Sequence, residues 1–362
     1  MSSEFLTLTK SDPSFMSHIT GNFSTEVRAL PEKSFGIGTS NERVTFKLTP
    51  VREILRPSKV KIIGIALRPS YLTLTLGPVV VVSSFLLSQG WTPDWLHLAL
   101  AVSALMFLHF AVFLFNDYYD HIHGQDRLNP RRGSQIIQKG WEPAYKIKRW
   151  AFFNLGLGVA LGAYLALSSS AFLFLIGGVA LAAVVLFPWL RDLKSGPFAE
   201  LVTFLCFGPL LVFGFLTAIE APIEWTLLLA SGAFGGLAVV CVHLKYLENL
   251  FHESLNGSTH LLARLGFDKG RNLVIIEILL TTFWLVVWFY AYRFAWSWAL
   301  SLVCFAPALF LILRLAKIRS PMASSMKGLT TAGLLGHLAL SVFMTLVFLG
   351  IYFNNFSQAV NP

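Results

Sequence analysis

Nine stretches of this chain are each long and apolar enough to cross a lipid bilayer, and that feature limits the fold more than any other. They run over roughly 69–88, 95–116, 150–168, 171–190, 199–219, 223–244, 272–292, 296–313 and 329–353. A helix needs about 20 mostly apolar residues to span the hydrocarbon core. In lipid, a helix also satisfies its backbone polar groups internally. Only 13% of the 362 residues are charged, against about 25% in soluble domains. The expected fold is an all-α integral membrane protein with nine transmembrane helices. A disordered chain, a collagen and a soluble nucleic-acid-binding domain are excluded, so no nucleic-acid partner is expected. Cys206, Cys241 and Cys304 lie far apart inside apolar runs and form neither a zinc spacing nor a disulfide framework.

Nine spans make the connecting segments alternate between two sides. One side takes the N-terminal segment and the segments near 117–149, 191–198, 245–271 and 314–328. It holds 27 of the 28 Lys and Arg residues, and the other side holds only Arg293. Basic loops stay cytoplasmic, so the N-terminus is expected inside and the C-terminus on the opposite side. The net charge of +9 is then mainly a topological label. Residues 1–64 read as a cytoplasmic tail, flexible or lying on the membrane surface. Residues 65–354 form the membrane domain, and 355–362 a short C-terminal tail. Residues 1–60 show no signal-peptide pattern. Pro50 to Arg68 interleaves Arg52, Arg56, Lys59 and Lys61 with apolar residues. It reads either as an interfacial helix on anionic lipid or as a basic flank that sets orientation.

Charged groups at the ends of spans are costly and point to function. The second span ends in Asn116-Asp117-Tyr118-Tyr119-Asp120-His121-Ile122-His123-Gly124-Gln125-Asp126. On a continuing helix, Asn116, Asp117 and Asp120 share one face. Carboxylates and an amide oxygen converging there suit Mg²⁺, a hard cation that shares oxygen ligands with substrate phosphates. Arg127, Arg131 and Arg132 follow at once. Guanidinium groups fork onto phosphate oxygens, although basic flanks also arise from topology alone. A second cluster ends the sixth span, where Lys245, Asn249 and Glu253 sit four residues apart on one helical stripe. His109 and His337 lie within spans and either line a cavity or bond a neighbouring helix.

These features resemble the UbiA superfamily of intramembrane prenyltransferases over about residues 65–353. Asn116-Asp117-Tyr118-Tyr119-Asp120 with His123-Gly124-Gln125-Asp126 resembles the first Asp-rich motif. The step from Asp120 to Asp126, Asn129-Pro130, and Gly133-Ser134-Gln135-Ile136-Ile137-Gln138 are similar to the branch that prenylates 1,4-dihydroxy-2-naphthoate in menaquinone synthesis. Arg68-Pro69-Ser70-Tyr71-Leu72, the Leu193–Leu210 stretch with Lys194 and Glu200, and Leu262-Ala263-Arg264-Leu265-Gly266 fall in the family's order.

The resemblance implies a UbiA-like helical bundle around a central cavity. It implies Mg²⁺ as cofactor, held by Asn116, Asp117, Asp120 and Asp126, with Asn249 and Glu253 as the counterpart of the second Asp-rich motif. A polyprenyl diphosphate with its tail in the bilayer is the implied donor, and an aromatic acceptor such as dihydroxynaphthoate the implied partner. Asp117, Asp120 and Lys194 are the implied catalytic residues. Arg127, Arg131, Arg132, Lys139 and Lys245 are expected on the diphosphate, and Tyr118 and Tyr119 beside the allylic cation. The second motif departs from the family, because Asn249 is neutral where an Asp is usual and Lys245 and Tyr246 replace Asn. The alternative is a divergent member that binds an isoprenoid lipid or a partner without prenyl transfer.

Overall fold

The computed structural model describes residues 4–127, 133–189, 198–255, 260–293 and 297–360. The side chains of 187, 188, 252–255 and 356–360 lie outside the description. The membrane part is helical throughout. After a short helix α2 (Lys59–Leu67) come α3 (Thr73–Ser88), α4 (Trp95–Ile122), α5 (Ala144–Ser168), α6 (Phe172–Trp189), α7 (Phe198–Phe207), α8 (Pro209–Ala218), α9 (Thr226–Leu255), α10 (Leu261–Leu265), α11 (Phe267–Ala291), α12 (Ser297–Lys317) and α13 (Leu329–Val360). Among the described residues, eight helices are long and apolar enough to cross a membrane. Helix α6, expected as a ninth, has a shorter apolar stretch over Phe172–Leu186.

Local chemistry explains several boundaries. Asp94 caps α4, its Oδ1 accepting from the Leu96 and His97 N–H groups at 2.8 and 3.3 Å. Pro209 stops the α7 hydrogen-bond ladder and starts α8, so one expected span is a helix in two pieces. Next to this break α9 lies unusually close, since a Cβ at Gly235 would fall 2.5 Å from the Phe204 carbonyl oxygen. Helix α4 packs on α5, α3 on α13, and α9 on α7, α11 and α13. Phe85, Trp288, Phe289 and Phe348 are buried together at the core. Two buried histidines bond across helices. Thr75 Oγ1 meets His109 Nδ1 at 2.7 Å, and Thr73 Oγ1 meets His337 Nδ1 at 3.0 Å. Both histidines thus take the helix-bonding role rather than the cavity-lining one.

The N-terminal segment corrects two expectations. Residues 4–50 are neither all-α nor a loose tail. They form an antiparallel sheet in the order β1 (Glu4–Thr9), β3 (Arg43–Pro50), β2 (Val27–Phe35), with helix α1 (Phe15–Thr20) between β1 and β2. Register is set by pairs such as Leu8↔Val44 and Pro31↔Phe46, with an irregularity between Pro31 and Lys33. The reason is a period-two pattern in Arg43-Val44-Thr45-Phe46-Lys47-Leu48, which buries one face of a strand. Leu8, Phe15, Ile19, Val44 and Phe46 make a small core, and Ile122 at the end of α4 packs against it. Between sheet and membrane domain, α2 buries Ile62 and Ala66 and leaves Val60 and Ile63 exposed.

Gly235→Val should force α7 from α9 and cost about 1–3 kcal/mol, as overpacking does. Gly64→Ala meets nothing within 4 Å and should leave stability unchanged or raise it by up to about 1 kcal/mol. Thermal melting of the two purified variants in one detergent separates these outcomes.

Candidate active site

Helix α4 continues through Ile122, so Asn116, Asp117 and Asp120 do sit on one helix. Asp117 is buried. Its Oδ1 receives the Arg68 guanidinium and the Ser134 backbone N–H, the latter at 3.3 Å. Its Oδ2 is buried and has no hydrogen-bond partner among the described residues. Arg68 sits between α2 and the first span in a left-handed backbone conformation, φ 47°. That conformation is uncommon for a residue with a side chain and concentrates at functional sites. Burial opposes the charge on Arg68. The nearby carboxylates, Asp117 first and then Asp126 and Asp120, outweigh it and hold the guanidinium pKa above its ordinary value. The Arg68 Cζ also lies 5.3 Å from the centre of the Phe113 ring.

Past α4 the chain turns back, with Asp126 N–H donating to the Asp120 carbonyl at 3.3 Å. Asp126 is buried, and its carboxylate lies against Gly133, φ +68°. Any side chain at Gly133 would collide with that carboxylate. The structural role of Gly133 is to let the acidic side chain and the backbone touch.

Arg68, Tyr71, Gly133, Lys245, Glu248 and Asn249 share a cavity of ≈ 920 Å³ with the link from α12 to α13, including Met322, Lys327 and Thr330. Segments far apart in sequence therefore meet in one place. The Lys245 ammonium lies 5.9 Å from the Tyr71 ring centre. Asn249 donates its amide nitrogen to the Lys245 carbonyl at 2.9 Å. Glu248 has a different task. It accepts from the Gly328 and Thr330 N–H groups at 2.7 and 2.9 Å and from the Thr330 hydroxyl at 2.7 Å. It thereby satisfies the first turn of α13 and fixes α9 against it.

Other expected site residues lie elsewhere. Arg127 is fully buried against Glu42 of the N-terminal segment, 2.6 Å away. It is turned into the protein, where a guanidinium meets a fixed carboxylate rather than a phosphate. Lys139 is exposed and stacks over Trp141 at 4.8 Å. Tyr118 and Tyr119 pack on the α5 side: Tyr118 is buried in the cluster with Ile147 and Ala151, with Lys148 Nζ 5.2 Å from its ring centre. The helical phase explains this, because Asn116, Asp117 and Asp120 fall within one arc of α4 and Tyr118 and Tyr119 fall outside it. Arg131, Arg132 and Lys194 lie outside the described residues, as does the Glu253 side chain. Among the described residues, no three His, Cys, Asp or Glu side chains form a ready-made metal cluster.

A second polar cluster was only half visible in the sequence. The His243 ring is buried, with Nδ1 2.8 Å from Glu277 Oε2 and Nε2 3.1 Å from Glu200 Oε1. Both ring nitrogens face acceptors, which a neutral imidazole with two ionised carboxylates does not satisfy. The triad therefore carries an added proton. It ties α7, α9 and α11 together on a different face of α9 from Lys245 and Asn249. His243→Leu leaves two carboxylates without their cation and should cost about 3–5 kcal/mol. Adding Glu200→Gln and Glu277→Gln should recover most of that loss, read by thermal melting in detergent.

A family model described as the UbiA prenyltransferase family matches residues 75–330. The chain is 28% identical over 216 residues to a 1,4-dihydroxy-2-naphthoate octaprenyltransferase of Mycobacterium tuberculosis, over 57% of this chain and 70% of that protein. It is 32% identical over 147 residues to a Bacillus subtilis protein of the same description, spanning 47% of that protein's length and 40% of its own. Among solved structures, a UbiA homologue from Archaeoglobus fulgidus bound to GPP and Mg²⁺ matches with a TM-score of 0.60 at 16% identity. The match covers 81% of this chain and 98% of that one. At such identity the likeness is one of fold. The N-terminal sheet, residues 4–50, precedes the matched segment.

Proposed function

The chain belongs to the UbiA prenyltransferase family, and from that premise we propose that its cavity transfers a polyprenyl group from a polyprenyl diphosphate to an aromatic acceptor of the dihydroxynaphthoate type. The observation that carries this is Asp117, a buried carboxylate with one oxygen unpartnered among the described residues, held by Arg68 at the edge of a cavity that also presents Lys245 and Lys327. The relatives described as dihydroxynaphthoate octaprenyltransferases support the choice of acceptor.

The residues present fit Mg²⁺. The Oδ2 of Asp117 is an oxygen donor without a bond among the described residues, and Mg²⁺ usually takes one or two carboxylates and completes its shell with water and substrate phosphate. A preassembled cage is thus unnecessary. Asp117 with Asn116, Asp120 and Asp126 would hold it, and Asn249 with Glu253 would be the counterpart from α9. Bound there, Mg²⁺ supplies Lewis-acid neutralisation of the diphosphate.

The protein's own groups do the rest. Arg68 exchanges its bond to Asp117 for diphosphate oxygens, and Lys245 approaches them from α9, where the family's second acidic motif is altered. Lys194, Arg131 and Arg132 are the remaining candidates for those oxygens. As the allylic C–O bond breaks, its electron pair leaves with the diphosphate, and the preorganised cations stabilise the growing charge. Tyr71, on the cavity wall beside Lys245, offers a π face to the allylic cation. The acceptor ring carbon forms the new C–C bond, and a dihydroxynaphthoate loses its carboxylate as carbon dioxide. Glu248 keeps Lys245 and Asn249 in phase by holding α9 to α13.

The cavity also bears on topology. Gly133 and Lys245 line it together, which favours an even number of crossings between them. Helices α5, α7–α8 and α9 supply three candidate spans, and a crossing by α6 would bring the total to nine. The positive-inside rule supports a cytoplasmic cavity mouth and N-terminus for such a topology. The exposed Val60 and Ile63 of α2 then lie at the membrane surface.

Purified protein in lipid, given a polyprenyl diphosphate, Mg²⁺ and dihydroxynaphthoate, should release diphosphate and form a prenylated naphthoquinol identified by mass spectrometry. Chelation of Mg²⁺ should abolish turnover, and Asp117→Asn should lower it by about 10²-fold or more. Tight binding of the diphosphate without turnover would mean a binder instead. Lys245→Ala combined with Glu253→Ala should raise the KM for the diphosphate, and unchanged kinetics would remove both residues from the site.

A further inference from the structure

The N-terminal sheet has no counterpart in the function derived so far, yet it grips one place on the membrane domain from several directions. Arg127, immediately after Asp126, is fully buried against Glu42 at 2.6 Å. His121, on α4 one residue past Asp120, places Nε2 2.9 Å from the Ile19 carbonyl and Nδ1 3.2 Å from the Gln138 amide. A Cβ at Gly124 would come 2.6 Å from Ile37 Cγ2, so the turn after α4 lies directly on the sheet's β2–β3 connection. Farther along, the Arg56 guanidinium bonds Glu142 at 2.6 Å and Trp141 donates its ring N–H to the Leu55 carbonyl at 3.1 Å. The other face of the same segment belongs to the site. Asp126 lies against Gly133, which lines the cavity, and Ser134 donates its N–H to Asp117.

We propose that the N-terminal sheet is a clamp that positions the turn after α4, which carries Asp126, for the diphosphate, with Glu42 and Arg127 as its central positioning pair. The segment lies between the sheet and the cavity. Adjacent residues face the two sides: Arg127 into the sheet, Asp126 toward Gly133. The carboxylates of Asp117 and Asp120 on α4 and of Asp126 in this turn gather around Arg68, and like charges so placed repel one another, so the turn needs a fixed point. The Glu42–Arg127 pair and the Ile37–Gly124 contact supply the fixed point. Partners that hold metal ligands in place cost about 10–100-fold in metal affinity or activity when they are lost, and a clamp that positions the groups binding the diphosphate is expected to act on KM more than on kcat.

The kinetic part of this proposal rests on the prenyl-diphosphate reading, and the structural part does not. The test uses the full chain in lipid nanodiscs, comparing wild type, Glu42→Ala, the exchanged pair Glu42→Arg/Arg127→Glu, and the milder Ile37→Ala. Two quantities are read: amide hydrogen exchange over 117–127 and 133–141, and KM against kcat with geranyl diphosphate, Mg²⁺ and dihydroxynaphthoate. Glu42→Ala should speed exchange in both segments while α9 and α11 keep theirs, and should raise KM about tenfold with a smaller change in kcat. The exchanged pair should restore protection at least in part. Ile37→Ala should act in the same direction more weakly, and it decides the matter if Glu42→Ala fails to fold. Unchanged exchange in 117–127 and 133–141 would overturn the clamp, as would altered exchange with an unchanged KM. If wild-type protein shows no turnover, the prenyl-transfer reading fails and the exchange measurement alone still decides whether the clamp exists.

Discussion

The bond between Arg68 and Asp117 is the constraint around which the cavity is built. A carboxylate buried at the end of a membrane helix carries a large desolvation penalty unless a cation meets it. Arg68 meets it from the residue just before the first span, in a backbone conformation that few side chains adopt. The pair fixes where α3 begins relative to where α4 ends. Around it lie Tyr71 and Phe113, with ring centres 5.1 Å apart, and Lys245 above Tyr71. The first acidic motif and the altered second one are thus joined through Arg68 and Tyr71. Losing either member of the ion pair leaves a buried charge at the same point, so the acidic site and its closest cation stand or fall together.

The membrane helices were legible because length is their signal: twenty apolar residues have few other uses. The first acidic motif was legible for a related reason, since carboxylates are scarce in this chain and three of them end one span. The partner of that motif was not. Arg68 reads in sequence as one more basic residue flanking a span, and only the approach of α3 to α4 gives it a carboxylate. Arg127 failed in the opposite way. Its position beside Asp126 suggested a phosphate ligand, but the sheet had already supplied Glu42. The sheet was missed because weight fell on apolar run length, whereas the strand signal in Val44, Phe46 and Leu48 is alternation. Tyr118 and Tyr119 show the limit of motif adjacency, because the turn of the helix carries them off the arc that Asn116, Asp117 and Asp120 share.

Three histidines inside the bundle each bond a neighbouring helix: His109 meets Thr75 of α3, His337 meets Thr73 of α3, and His243 meets Glu200 of α7 and Glu277 of α11. Hydrogen bonds of this kind contribute about 1 kcal/mol each between membrane helices, and their larger effect is to fix rotation. Helix α9 is held at three points on its circumference, by His243, by Glu248 and by the close approach at Gly235. Its Lys245 and Asn249 have little freedom to turn from the cavity.

The order in which the chain is made gives the Glu42–Arg127 contact one more meaning. Glu42 leaves the ribosome 85 residues before Arg127, and two spans are threaded into the bilayer in between. Three short strands alone are marginally stable in water, and this sheet completes its core on Ile122, the last residue of α4. The sheet is thus incomplete until α4 has been made. Only a helical hairpin of α3 and α4 that has inserted and brought the end of α4 back to the sheet's side of the membrane can complete it. A chain whose second span failed to return would keep an unpaired Glu42 and an open apolar face, which is the kind of surface quality-control chaperones recognise.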